Sequence, residues 1–150
     1  MVSINRIHCL NTLCQAPAGE VKDFVEGLLP ALEPVGVVKN RTGLVMLPMR
    51  EPVQGVQFYL GEALVAEAHV RLMSETGQAE GYAACLGRDQ EQALALAIID
   101  AANAAGLCQA EIAAFLERQA LALQEADHTF LQQVEATRVN METFEWQLSK

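Results

Sequence analysis

The chain is short of cations. Lys and Arg total ten against 19 acidic residues, a formal charge of −9, and only three of the ten are lysine. Binding to a phosphate backbone needs clustered cations that displace counterions, and no stretch supplies them, which excludes nucleic acid and an anionic membrane surface as partners. Long apolar runs are also missing: uncharged, apolar-rich stretches such as Ala93 to Ile99 are far too short to span a bilayer. Met1 to Arg6 holds one basic residue with no apolar run behind it, so the sequence predicts no signal peptide and a soluble, cytoplasmic protein. Aromatic residues are scarce at 5% although 51% of the chain is apolar, so the apolar weight comes from Ala, Leu and Val. Alanine-rich helices pack closely but each buries little area, a composition that goes with helices completing their burial against a partner.

The usual marks of chemistry are absent too. The four cysteines, Cys9, Cys14, Cys85 and Cys108, show no CxxC spacing. Cys9 and Cys14, five apart on a predicted helix, point about 140° from each other. No zinc or iron–sulfur set follows, and the four are expected as buried free thiols of a reducing compartment. There is no Walker loop, GxGxxG, GxSxG or HExxH. His8, His69 and His128 are far apart and read as structural or surface residues. A Cys–His pair such as Cys85 with His69 on neighbouring strands is conceivable, but no third group orients it.

What is present is an ordered series of periodic segments. A first helix has Ser3 as N-cap and Ile4, Ile7, Leu10, Leu13 and Cys14 as its stripe; a second carries Val21, Phe24, Val25, Leu28, Leu29 and Leu32. From Val35 to Gly87 the pattern turns to strands. Val35–Lys39 and Leu44–Leu47 form a hairpin about a turn at Asn40–Gly43, with Pro48 and Pro52 bracketing a loop. Gln54–Leu60 follows, then Ala63–Met73 with Leu64, Ala66, Ala68, Val70 and Leu72 on one face. The turn Ser74–Gly77 leads to Glu80–Leu86. Asp89 and Gln92 cap a helix with Ala93, Leu94, Ala97, Ile98 and Ala101 on one side, ending near Gly106. Beyond it, Leu116, Ala120, Leu123, Asp127, Phe130, Val134, Thr137, Met141, Phe144 and Leu148 step by four and three in a seam free of Pro and Gly. About 40 helical residues would run about 60 Å, so a break near Ala126–His128 is preferred to a projecting helix. The sum is a single α+β domain over 1–150. An antiparallel sheet of four to five strands, about 35–87, is flanked by two N-terminal helices and long C-terminal ones.

Glycine and arginine at the strand ends are the next candidates. Gly43, Gly61 and Gly87 are read as backbone turns. Arg88 and Asp89 precede a helix whose free amides favour an anion, which Arg88 would support and Asp89, as N-cap, would oppose. Arg71 sits one residue off the apolar alternation, and Arg138 follows a seam position. Each has a plain reading, as cap, surface residue or internal ion pair, and a sharper one as a partner- or substrate-proximal group.

These residues also carry a likeness. Thr42-Gly43-Leu44-Val45, Gly61-Glu62 leading to Val70-Arg71-Leu72, Gly81-Tyr82 before Leu86-Gly87-Arg88-Asp89, Ala97 to Asp100, and Thr137-Arg138-Val139-Asn140 stand in an order that resembles the PhnG family. The resemblance runs from Gly43 to Phe144. The family usually has Asp where Asn140 stands, which removes an acid there, and Phe where Met141 stands. The resemblance implies a subunit of the carbon–phosphorus lyase core complex of phosphonate metabolism, bound directly to a PhnI-like subunit, with PhnH- and PhnJ-like companions. That complex uses MgATP as substrate, and a phosphonate displaces adenine at the ribose C1 to give a ribose 1-phosphonate 5-triphosphate. The resemblance assigns the nucleosidase-type chemistry to the PhnI-like subunit and the iron–sulfur chemistry to the PhnJ-like one. This chain is therefore expected to assist without a catalytic residue, metal or cofactor of its own. The alternative is a stand-alone homo-oligomeric binding protein or enzyme, with Arg71 and Arg88 in one closed, well-filled pocket within one chain or its symmetric dimer. Large exposed apolar surface would argue against it.

Overall fold

A computed structural model describes residues 6–32, 34–74 and 77–138. The elements run α1 (Arg6–Gln15), α2 (Ala18–Leu32), β1 (Val35–Arg50), β2 (Gln57–Ser74), β3 (Gly77–Leu86), α3 (Gln90–Ala105) and α4 (Gln109–Ala136). The expected cap Ser3 lies outside the described residues.

The α+β class and the antiparallel pairing are those expected, but the described strands number three, in the order β1-β2-β3, rather than four or five. The turns placed at Asn40–Gly43 and at Gly61-Glu62 are strand interior. Gly43 pairs with Val65 and Gly61 with Leu47 in one long β1–β2 ladder. Glycine and asparagine weaken a strand without ending it, and an in-register partner overrides the preference. Pro48 sits in β1 at a register shift, where the ladder is already interrupted. The chain reverses at 51–56 instead. There the Glu51 carboxylate accepts the amides of Val53 and Gln54, each at 2.6 Å, and Gly55 supplies a φ of +71°.

The inner face of the sheet is made of small residues. Ala66, Ala68, Val70 and Leu72 of β2 are buried with Gly81, Ala83 and Cys85 of β3. Helix α3 lies across them and is buried without a gap from Ala95 through Ala102. Eight consecutive buried positions exceed two turns, so this helix is covered on every side. It starts at Asp89, whose carboxylate accepts the Gln92 amide at 2.9 Å, and stops at Gly106 with a φ of +73°. The closest approach is at Gly81. A Cβ there would collide with the Ala97 carbonyl oxygen and the Ala101 amide nitrogen, and would lie 2.7 Å from the Ala101 Cβ.

A buried acid joins three elements at this point. The Asp100 side chain is 1% exposed, and it accepts the Arg6 Nε at 2.7 Å and the Tyr82 amide at 2.9 Å. Helix α1 is thereby fastened to α3 and β3. Helix α2 is held to α4 by the Phe24 and Phe115 rings, stacked with centroids 4.0 Å apart, and by Gln119 donating to Glu20 at 2.6 Å.

Two further expectations are corrected. Helix α4 does not break at Ala126–His128; it continues to Ala136, about 42 Å in all. Asp127 and His128 are exposed, Gln132 reaches His128 at 2.9 Å, and nothing in this stretch interrupts the helical ladder. The seam positions Met141, Phe144 and Leu148, and Asn140 of the resemblance, lie outside the described residues. The cysteines are all free, but Cys14 is exposed, its thiol 3.8 Å from the Ala84 carbonyl, and Cys108 is half-buried. Burial, then the charge of Asp100 and the nearby Cys14, pushes the Cys9 thiol up to about 11.

Gly81 and Gly43 make a direct comparison. Gly81→Ala is expected to destabilise the fold by about 3 kcal/mol or more, because backbone rather than a flexible side chain must move. Gly43→Ala, with open space at its Cβ, is expected to change stability by no more than about 1 kcal/mol. Urea denaturation of the two variants measures both; equal effects would contradict the close approach.

Candidate functional site

Opposite α3, the outer face of the sheet carries a grid of polar side chains set by strand register. Arg41 pairs directly with Glu67, Lys39 with His69, His69 with Tyr82, and Arg71 with Glu80. The alternation that puts Ala66, Ala68 and Val70 inside puts Glu67, His69 and Arg71 outside. Glu67 accepts the Arg41 Nε and, at 2.7 Å, the Tyr82 hydroxyl, and Lys39 Nζ stands 3.9 Å away. Glu80 accepts the Arg71 Nε at 2.8 Å, and its other oxygen is 3.2 Å from His69 Nε2.

These contacts tune the acids. The Tyr82 hydroxyl and then Arg41 hold Glu67 below the ordinary carboxylate range, and Arg71 and then His69 do the same for Glu80. The bond to Glu67 raises the Tyr82 hydroxyl in turn. Three of the chain's ten Lys and Arg residues, Lys39, Arg41 and Arg71, stand on this one face.

The second feature is apolar. Strand β3 pairs with β2 only from Val65 onward, so the β1–β2 hairpin beyond Leu44 and Leu64 projects as a two-stranded arm. Its side chains are exposed on both faces, with Val53 at 86%, Tyr59 at 65% and Leu60 at 64%. Helix α4 repeats the pattern. Its buried residues stop at Gln119, and the seam continues outward with Phe130 at 64% exposure and Val134 uncovered. A two-stranded ribbon is marginal alone in water, and apolar surface on this scale marks an interaction site.

The residues singled out from sequence fall in separate places. Arg71 belongs to the polar grid. Arg88 is exposed in the bend between β3 and α3. Glu80, the partner of Arg71, is six residues from Leu86 along β3, so Arg71 and Arg88 stand about 20 Å apart. Asp89 is spent as the cap of α3 and also accepts Lys22 at 2.9 Å; the Gln92 amide, then Lys22, holds its carboxyl below the usual range. Arg138 pairs with Glu135 at 3.1 Å just after α4. Gly87 has a φ of +101°, whereas Gly43 and Gly61 are within strands. Cys85 points inward and His69 outward, so that pair does not form.

Lys39, Arg41, Glu67, Glu80 and Tyr82 are not among the candidate site residues of the sequence, and His69 entered only as a partner for Cys85. Their signal was the polar half of the period-two alternation, which has no meaning until the register is known. Among the described residues, no three His, Cys, Asp or Glu side chains gather to hold a metal ion, and no helix is long and apolar enough to cross a membrane.

Depressed carboxylates contribute stability that is present above their ordinary value of 4.5 and is lost as pH falls through the lower folded values. The double variant E67Q/E80Q is therefore expected to melt below the parent at pH 7. The gap should narrow as pH falls below 4.5 and through the lower folded values of the two parent acids. Melting curves across that range test this, and a gap independent of pH would remove the acids from the network.

Residues 4–145 match the family described as phosphonate metabolism protein PhnG. The chain is 33% identical over 134 residues to the alpha-D-ribose 1-methylphosphonate 5-triphosphate synthase subunit PhnG of Rhizobium meliloti (strain 1021). That match covers 89% of this chain and 84% of the relative. With nearly its whole length matched, the chain belongs to the PhnG family.

Proposed function

We propose that this chain is an assisting subunit of a ribose 1-methylphosphonate 5-triphosphate synthase in the cytoplasm, docked through its apolar arm and the outer half of α4 onto a PhnI-like subunit. PhnH- and PhnJ-like subunits complete the assembly. The PhnI-like partner carries the displacement of adenine from MgATP by a phosphonate, and this chain completes or positions that site. The observation that carries the reading is the two-faced apolar arm, whose Val53, Tyr59 and Leu60 are left in water by the other described elements.

The relative named as a synthase subunit supports the same assignment. A helix seam that continues past its own domain adds a second uncovered surface. A stand-alone enzyme is the weaker reading. It needs Arg71 and Arg88 in one closed pocket of the chain or its symmetric dimer, and within the chain they stand about 20 Å apart along the sheet.

Co-expression with a PhnI-like subunit, size-exclusion chromatography and an adenine-release assay with MgATP and methylphosphonate test the proposal. A stable complex that releases adenine only when both chains are present is the expected result. Phe58→Asp and Leu60→Asp, both on exposed arm positions, should weaken that complex at least about tenfold with little change in melting temperature. If the chain elutes alone as a compact oligomer and leaves its partner's activity unchanged, the subunit reading fails.

A further inference from the structure

The outer sheet face has a charge balance opposite to that of the chain. In a molecule of formal charge −9, it gathers Lys39, Arg41 and Arg71 around His69 against the two carboxylates Glu67 and Glu80. Its nitrogen-bearing side chains are contiguous. Lys39 is directly across from His69, and Arg71 is the next outward residue along the same strand. Direct cross-strand neighbours have Cβ atoms about 5 Å apart, so three long nitrogen-bearing side chains can close on one tetrahedral oxyanion between them. Glu67 lies on β2 between Arg41 and the Tyr82 hydroxyl, 3.9 Å from Lys39 Nζ, and Glu80 lies across from Arg71 with one oxygen 3.2 Å from His69 Nε2.

The two arginines are oriented before any ligand arrives. Each donates through Nε, Arg41 to Glu67 and Arg71 to Glu80. An Nε contact fixes the guanidinium plane and uses one of five donors, the others lying on the two terminal nitrogens. Arginine in such a fork suits phosphoryl and phosphonyl oxygens better than a freely rotating ammonium does. Tyr82, held by Glu67 at 2.7 Å, places a hydroxyl on the same face.

We propose that this face is an oxyanion subsite, formed by Lys39, His69 and Arg71 with Arg41 at its rim, that takes a phosphoryl or phosphonyl group. It extends the subunit reading by placing a substrate-class contact on this chain, away from the apolar arm. Two groups share that chemistry, a triphosphate tail and a methylphosphonate, and separate titrations distinguish them. Glu67 and Glu80 act as competing internal anions: they hold the arginines in place and keep affinity low until a stronger oxyanion displaces them.

The test uses the full chain without a partner, so its failure would leave complex formation untouched, and a failure to form the complex would leave this result standing. Nitrogen-15 amide spectra are titrated at low salt with sodium tripolyphosphate, and in parallel with methylphosphonate. Saturable shifts confined to residues 39–41, 67–71 and 80–82, with millimolar affinity for at least one probe, are expected. R41Q/R71Q should weaken binding at least about tenfold. E67Q/E80Q, which removes the competing carboxylates, should tighten it several-fold. Absence of saturation by either probe would overturn the subsite. So would shifts unchanged in R41Q/R71Q, or weaker binding by E67Q/E80Q in a chain whose spectrum remains folded.

Discussion

The architecture depends on the contact between α3 and the sheet at Gly81. The helix comes so near that its own backbone, at Ala97 and Ala101, occupies the space a side chain would need. Alanines surround this contact: Ala66, Ala68 and Ala83 on the sheet, and Ala93, Ala97 and Ala101 on the helix. Small residues on both surfaces allow the two backbones to approach, and the approach brings Asp100 within reach of the Tyr82 amide beside Gly81. Arg6 then closes over the acid from α1. Without the near contact, that carboxylate would be buried with no backbone partner, at a cost typical of an unsatisfied charge.

An alanine-lined core has a consequence for the rest of the molecule. Each alanine buries little area, so the core is narrow and covers one face of a three-stranded sheet and the inner part of four helices. Larger apolar side chains are spread elsewhere. Many lie on the β1–β2 arm and the outer half of α4, in water on the chain alone. The distribution fits a subunit whose burial is finished by another protein, and it separates two surfaces of different chemistry. The arm is apolar and adaptable, while the outer sheet face is polar and held in place by cross-strand hydrogen bonds.

The sequence and the structure agree where the local signal was complete. The helices around Val21–Leu32 and Ala93–Ala101, the cap at Asp89, and the inward face Ala66–Leu72 were all legible, because each is specified by a period of three to four or of two within its own segment. The misread parts have separate causes. Gly43, Gly61 and the Asn40–Thr42 stretch have turn chemistry, yet they run straight because their partners across the ladder hold them. The break placed at Ala126–His128 came from length alone, with no local residue to make it. Arg71 was noticed, but the lysine, arginine, histidine, acids and tyrosine around it come from three strands and meet only through register.

The sequence by itself determined the α+β class, the lack of any metal or nucleotide motif, the acidic surface and the likeness to the PhnG family. Composition, periodicity and ordered motifs are properties of the chain read along its length. Only the tertiary structure decided that the sheet has three long strands, that a hairpin arm stands clear of the core, that Asp100 is locked beneath Arg6, and that a basic cluster assembles on the outer face. Each of these depends on which residue lies across from which, and strand register and helix-to-sheet distance are set by contacts between segments far apart in sequence.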